Sequence, residues 1–139
     1  MKLYSLDRSS HPNSSINIRK NSSQHFLRIW HHHTELELVY ILKSSGTRFI
    51  GDSIQKFEKG ELVLIGKKLP HMWFNDPEYF QENSTLKAEA ISIHFKDTFL
   101  GDTFFKVPEM ATIAKLLTKA QQGILFENID AKIINKILA

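Results

Sequence analysis

The run Trp30-His31-His32-His33-Thr34-Glu35-Leu36-Glu37-Leu38-Val39-Tyr40-Ile41 constrains this chain most, because its chemistry alternates every two residues. On an extended strand, side chains two apart share a face. His31, His33, Glu35 and Glu37 then point one way, and Trp30, His32, Leu36 and Leu38 the other. A face that gathers imidazoles and carboxylates can converge on one ligand. A second stretch, Gly60 to Asn75, carries the aliphatic Leu62-Val63-Leu64-Ile65, a turn marked by Pro70, and a further histidine, His71.

At 139 residues the chain has the length of one domain, enough to bury about two-thirds of its unfolded surface in a single core. With 42% hydrophobic and 24% charged residues it has ordinary globular composition. No apolar run approaches the ~20 residues that span a bilayer, and no charged-then-apolar leader opens the sequence. No membrane partner is expected. The absence of cysteine excludes disulfides and thiolate metal sites and suits a reducing cytoplasm. A net charge of +3 is mild, and the basic residues are dispersed, whereas a DNA-binding domain concentrates them on one face. This segment alone is not expected to grip DNA.

In chain order, residues 1–15 are rich in serine, include His11-Pro12, and read as a mobile arm. Residues 16–107 read as strands and turns. Ile16-Asn17-Ile18 and His25 to Trp30 alternate as strands about a turn at Asn21-Ser22-Ser23. Residues 36–43 and Thr47 to Ile50 follow, with Gly51-Asp52 and Lys59-Gly60 punctuating hairpins. Asn75 to Thr85 reads as a long loop over a barrel end. In the strand from Leu86 to Phe95, Ile91, Ile93 and Phe95 share one face and Ala90, Ser92 and His94 the other. His94 joins a pocket if the small residues face inward, and is exposed if the isoleucines do. Many short strands at about 8–12 residue spacing argue a sandwich or barrel.

Residues 108–139 change period. Met110, Ile113, Ala114 and Leu117 recur at three and four, with Pro108 suited to a helix start and Gly123 to its end. After Ile124-Leu125-Phe126, the residues Ile129, Ile133, Ile134, Ile137 and Leu138 form one stripe of a second helix. That stripe needs a partner surface. The pattern is still running at Ala139, as expected of a segment cut from a longer protein.

The two motif stretches together resemble the paired motifs of the cupin barrel. His31, His33 and Glu37 match its first motif, and Gly60, Pro70, His71 and Asn75 its second. The wording "WHHHTELELVYILKSSGTRFIGDS" followed by "GELVLIGKKLPHMW" looks more narrowly like the amino-terminal sensing domain of AraC-type transcriptional regulators, over roughly residues 25–126. Ser44 stands where that family usually turns on glycine, with Gly46 two positions on, and Lys67-Lys68 sets two cations near the mouth of any pocket. The resemblance implies a mainly β, cupin-like double-stranded β-barrel (jelly roll) followed by two carboxy-terminal α-helices. It also implies a homodimer formed through those helices, with Met110, Ile113, Leu117, Ile133 and Ile137 at the interface.

Imidazole nitrogens with one carboxylate oxygen suit a divalent Zn, Ni, Mn or Fe ion, and His31, His33, Glu37 and His71 are the candidate ligands. The same groups could hydrogen-bond a polar metabolite directly, with Trp30, Trp73 and His94 completing the pocket; some of the histidines could instead be structural. No cofactor is firmly expected. The functional expectation is the sensing and dimerisation domain of an AraC-type regulator, not an enzyme, binding a small polar effector such as a carbohydrate. DNA would be met only through domains outside this chain. The rival is a small metal-dependent cupin enzyme, a dioxygenase or isomerase.

Overall fold

Residues 2–8 and 15–138 are described by a computed structural model, in which the alternating stretches become β1 (Tyr4–Ser5), β2 (Ile16–Ser23), β3 (His31–His32), β4 (Leu36–Lys43), β5 (Gly46–Ile50), β6 (Ser53–Phe57), β7 (Leu62–Ile65), β8 (His71–Asn75), β9 (Ala88–Phe95) and β10 (Ile124–Phe126). They form two five-stranded sheets, ordered β1-β3-β8-β5-β6 and β10-β7-β4-β9-β2. Helix α1 (Ala111–Lys119) lies between β9 and β10, and α2 (Ala131–Leu138) follows β10. This is the expected mainly β jelly roll with two carboxy-terminal helices.

Register decides what faces inward. In the second sheet Glu37 lies opposite Ile65 and His94, and Val39 opposite Val63 and Ser92; Asn17 pairs with His94 and Arg19 with Ser92. Alternation then sends Leu36, Leu38, Leu62 and Leu64 to the outer face. The inner core gathers Val39, Ile41, Ile50, Phe57, Val63, Ile65, Trp73 and Ala90. Outside, Leu36, Leu64 and Ala120 form a second cluster against which Leu116, Leu117, Ile124 and Phe126 pack. Helix α1 is therefore a cover for the outer sheet face. Gly66 permits that cover to sit close: its N–H donates to Ala120 O at 2.8 Å, and a Cβ there would fall 2.6 Å from the same oxygen.

Two buried polar groups tie the first sheet to its neighbours. Asn75 accepts from Phe26 N–H at 2.7 Å and donates to Ser44 Oγ and to Ser45 O. Ser44, standing at the expected glycine turn, is thus a buried hydrogen-bond partner, and Gly46 is the residue that must lack a side chain, since a Cβ would meet Phe74 O at 2.1 Å. Arg48, only 5% exposed, donates to Lys56 O, Gln55 Oε1 and Glu61 Oε2 at 2.8, 2.8 and 2.7 Å.

Several local expectations change. Asn21, Ser22 and Ser23 continue β2 in register with Ala90, Glu89 and Ala88, and Ser22 Oγ donates to Glu89 at 3.0 Å, so cross-strand pairing overrides their turn preference. His25 to Trp30 is irregular rather than a strand. Of the expected arm, residues 1 and 9–14 lie outside the described residues, while Tyr4–Ser5 pairs in parallel with His31–His32. Ile124–Phe126 is not a mere connector but the edge strand beside β7. Lys67 is held by Asp97 at 2.9 Å, away from the hollow that the barrel encloses.

The helical residues divide. Leu117 and Met110 are half-buried within the chain, whereas Ile113 is 43% and Ile133 51% exposed. Leu117 is taken up by the outer sheet cluster, so it faces the barrel of its own chain. Ile134 borders a groove with Tyr40, Leu125 and Phe126, and Leu138 keeps 47% of its surface open.

Candidate functional site

His31 and His71 are direct partners across the short β3–β8 pair, and Glu37 and His94 are partners across β4–β9. His33 sits in the bend between β3 and β4. Two neighbouring sheets thus deliver five titratable side chains to one place, all buried: His31, His33, Glu37, His71 and His94 are 6%, 2%, 7%, 1% and 2% exposed. Possible ligand atoms of His31, His33 and His71 lie within 4.8 Å of one another, as do those of His33, Glu37 and His94. Small residues on β9 face inward, which resolves the parity of His94.

The rings are fixed from behind. Nδ1 of His31, His33 and His71 donates to the backbone carbonyls of Ile29, Glu35 and Leu69 at 2.7, 2.9 and 2.7 Å. A ring that spends its Nδ1 proton this way presents an Nε2 lone pair when neutral. Glu37 Oε2 stands 3.1 Å from His71 Nε2 and 3.7 Å from His33 Nε2, and Oε1 stands 2.9 Å from His94 Nε2. Despite these distances, Glu37 Oε2 and the Nε2 atoms of His33, His71 and His94 are buried without a hydrogen bond of proper alignment. Lone pairs and a carboxylate facing one another are satisfied by positive charge placed among them, a shared proton or a metal ion. The donor set fits a divalent ion: imidazoles with backbone-anchored Nδ1 and one carboxylate, in an enclosed place. A bound ion would supply Lewis acidity beside the hollow.

Electrostatics follow the same geometry. Burial, with His71 alongside, lowers His31 from 6.5 to about 4. Burial alone would raise the Glu37 carboxyl, but the imidazoles of His33, His71 and His94 outweigh it and hold it well below 4.5. For His31 the unfolded chain takes the proton more readily, so its contribution to stability is full above 6.5 and lost as the pH falls toward about 4. The Glu37 contribution is full above 4.5 and is lost below it. Both signs agree. The urea midpoint of metal-free protein should therefore fall steadily from pH 7 toward pH 4, and His31→Leu should flatten the upper part of that slope. A midpoint independent of pH across this window would contradict the assignment.

Above the cluster lies a hollow of about 430 Å³ lined by His31, Glu37, His71 and His94 together with Val39, Ile41, Trp73, Ala90 and Ser92. Its volume falls within the range of about 300–1,000 Å³ usual for small-molecule sites. Trp73 is both wall and core, packing edge-on against Phe57 at 5.0 Å. Trp30 is not among the lining residues; its carbonyl accepts from Tyr4 N–H at 2.9 Å, which anchors β1. Glu35 is buried but turned aside at the bend, where Thr34 Oγ1 donates to it at 3.0 Å. Arg8, Arg19, Asn21 and Arg28 also line the hollow, and none was singled out from the sequence. Arg19 and Asn21 alternate with Ile18 and Lys20 on β2, a period-two signal that the supposed turn at Asn21 obscured.

No protein-family profile matches the chain, and no characterised protein matches it in sequence. Among solved structures, apo ToxT from Vibrio cholerae is similar over 90% of this chain and 46% of its own, with 13% identity and a TM-score of 0.54. A cupin 2 conserved barrel domain protein from Salinispora arenicola is similar over 75% of this chain and 78% of its own, at 14% identity and a TM-score of 0.45. One from Rhodopseudomonas palustris matches 62% of this chain and 55% of its own, at 17% and 0.42. The chain thus spans about half the length of the Rhodopseudomonas and Vibrio proteins. At such identities the likeness is one of fold.

Proposed function

We propose that this chain is the ligand-sensing and dimerisation domain of an AraC-type transcriptional regulator, its barrel hollow taking a small polar effector next to a divalent metal centre. The observation that carries the reading is the hollow itself: a cavity of small-molecule size whose floor is a ring of buried, unpaired donor atoms. Effector recognition is then shared between the cluster and the inward faces of β2, β4 and β9. The AraC-like wording of residues 30–73 and the two carboxy-terminal helices support the regulator class.

For signalling, the effector must favour one dimer arrangement over another by its difference in affinity for the two. The half-exposed isoleucines of α2 are the surface on which such arrangements would form. Light scattering on the wild-type chain should give a dimer, and Ile133→Glu with Ile137→Glu should give a monomer. An unchanged dimer would place the contact elsewhere. Metal content of protein purified without chelator, followed by titration of small polar compounds into metal-loaded and chelated samples, tests the hollow. The absence of any binding in both samples would remove the sensing role.

The second reading, a metal-dependent cupin enzyme, is favoured by one observation, the convergence of imidazole Nε2 atoms on Glu37. Turnover of a hydroxylated or carbonyl substrate by the metal-loaded chain would support it over the regulator.

A further inference from the structure

Besides the cluster suited to a cation, the hollow has lining residues of the reverse character. Arg8 and Arg19 both line it. They arrive from different sheets: Arg8 follows β1, the edge of one, and Arg19 lies on β2, the edge of the other, opposite Ser92. Arg8 Nε is buried with no hydrogen-bond partner. The acidic residue lining the hollow is Glu37, and its carboxylate is turned to His33, His71 and His94. Arg28, a third arginine at the hollow, is stacked over Phe80 at 4.5 Å. The carboxylate that lines the hollow is thus engaged by imidazoles and not by Arg8 or Arg19.

A partly buried guanidinium group with an unpartnered N–H forgoes a hydrogen bond that water reaches poorly. A planar or tetrahedral anion between them would satisfy both, because guanidinium presents paired donors that match carboxylate and phosphate oxygens. The same hollow is walled by Val39, Ile41 and Trp73, which offer contact to an apolar body but little to a ring of hydroxyl groups.

We infer that the effector is a small anion, a carboxylate or phosphate monoester on a compact apolar body, whose acidic group is held by Arg8 and Arg19. This rests on the reading of the hollow as an effector site and replaces the carbohydrate expected from the sequence. A neutral sugar would bring no charge to either arginine.

The test titrates benzoate and phenyl phosphate, with benzyl alcohol and glucose as neutral counterparts, into the isotopically labelled chain, following backbone amide shifts on β2, β4 and β9. One or both anions should bind more tightly than either neutral probe, and the tighter of the two identifies the head group. Arg8→Gln combined with Arg19→Gln should weaken that anion by about 10-fold or more while the circular dichroism spectrum is retained. If that variant does not fold, Arg19→Lys serves instead, with an expected loss of affinity from the broken paired geometry. Glucose or benzyl alcohol binding as tightly as the anions would overturn the inference and leave the effector hollow standing. Unchanged anion affinity in the arginine variants would also overturn it. Failure of all four probes to shift any residue of the hollow would overturn both.

Discussion

Glu37→Gln should lower the affinity of the chain for a divalent cation by about 100-fold or more, read by competition with a chromogenic chelator. The carboxylate is the anionic member of the donor set, and its oxygens approach His33, His71 and His94 within 3.7, 3.1 and 2.9 Å. An amide keeps the volume but removes the charge, and its NH2 group donates toward the imidazole lone pairs that would otherwise meet the ion. The substituted chain should still fold, because the strand pairing of Glu37 with Ile65 and His94 is made by the backbone. His94→Ala should weaken metal binding less than His71→Ala. His71 is braced through Nδ1 by Leu69 O, whereas His94 Nδ1 has no partner and its ring is less firmly aimed. Equal affinity of the Glu37→Gln and wild-type chains would show that the cluster is not a metal centre.

Arg48→Ala should destabilise the chain by about 3–5 kcal/mol in urea unfolding, the range for removing one partner of a buried ion pair. The guanidinium joins β5 to the Lys56 carbonyl and the Gln55 side chain on β6, and to Glu61 just before β7. Its loss strands a carboxylate whose side chain is only 20% exposed and opens a void on the inner side of the first sheet, where Arg48 is in register with Trp73. Arg48→Lys should recover part of the stability, since one cation remains but the forked set of donors does not. A change under 1 kcal/mol for Arg48→Ala would show that the network is solvated and contributes little.

How the chain reads without coordinates depends on whether local or distant groups decide each position. The alternation from residue 31 to 41 is local: the pleat alone puts His31, His33 and Glu37 on one side, and the structure keeps them there through the bend at Thr34 and Glu35. Glu35 shared that parity and was lost from the site because the bend turns it aside. The strands β4, β5 and β9 were legible for the same reason and β7 as a short aliphatic run, whereas Asn21 to Ser23 was not, since serine and asparagine favour turns until a partner strand offers a ladder. For β10 the sequence carries too short a signal; it is a strand because β7 lies beside it.

From the order of residues alone came a β sandwich or barrel with an imidazole and carboxylate face and an apolar helical tail, because the period of side-chain chemistry is a property of the backbone and needs no neighbour. Which groups meet was decided only by the packed sheets. Register set His94 against Glu37 and Arg48 beside Trp73, while the closing of the sheets left Trp30 off the cavity lining and brought Arg8 and Arg19 from separate edges to one hollow. Contacts between residues far apart in the chain depend on how two sheets close over one another, and that closure follows from burial of the whole apolar face rather than from any one stretch.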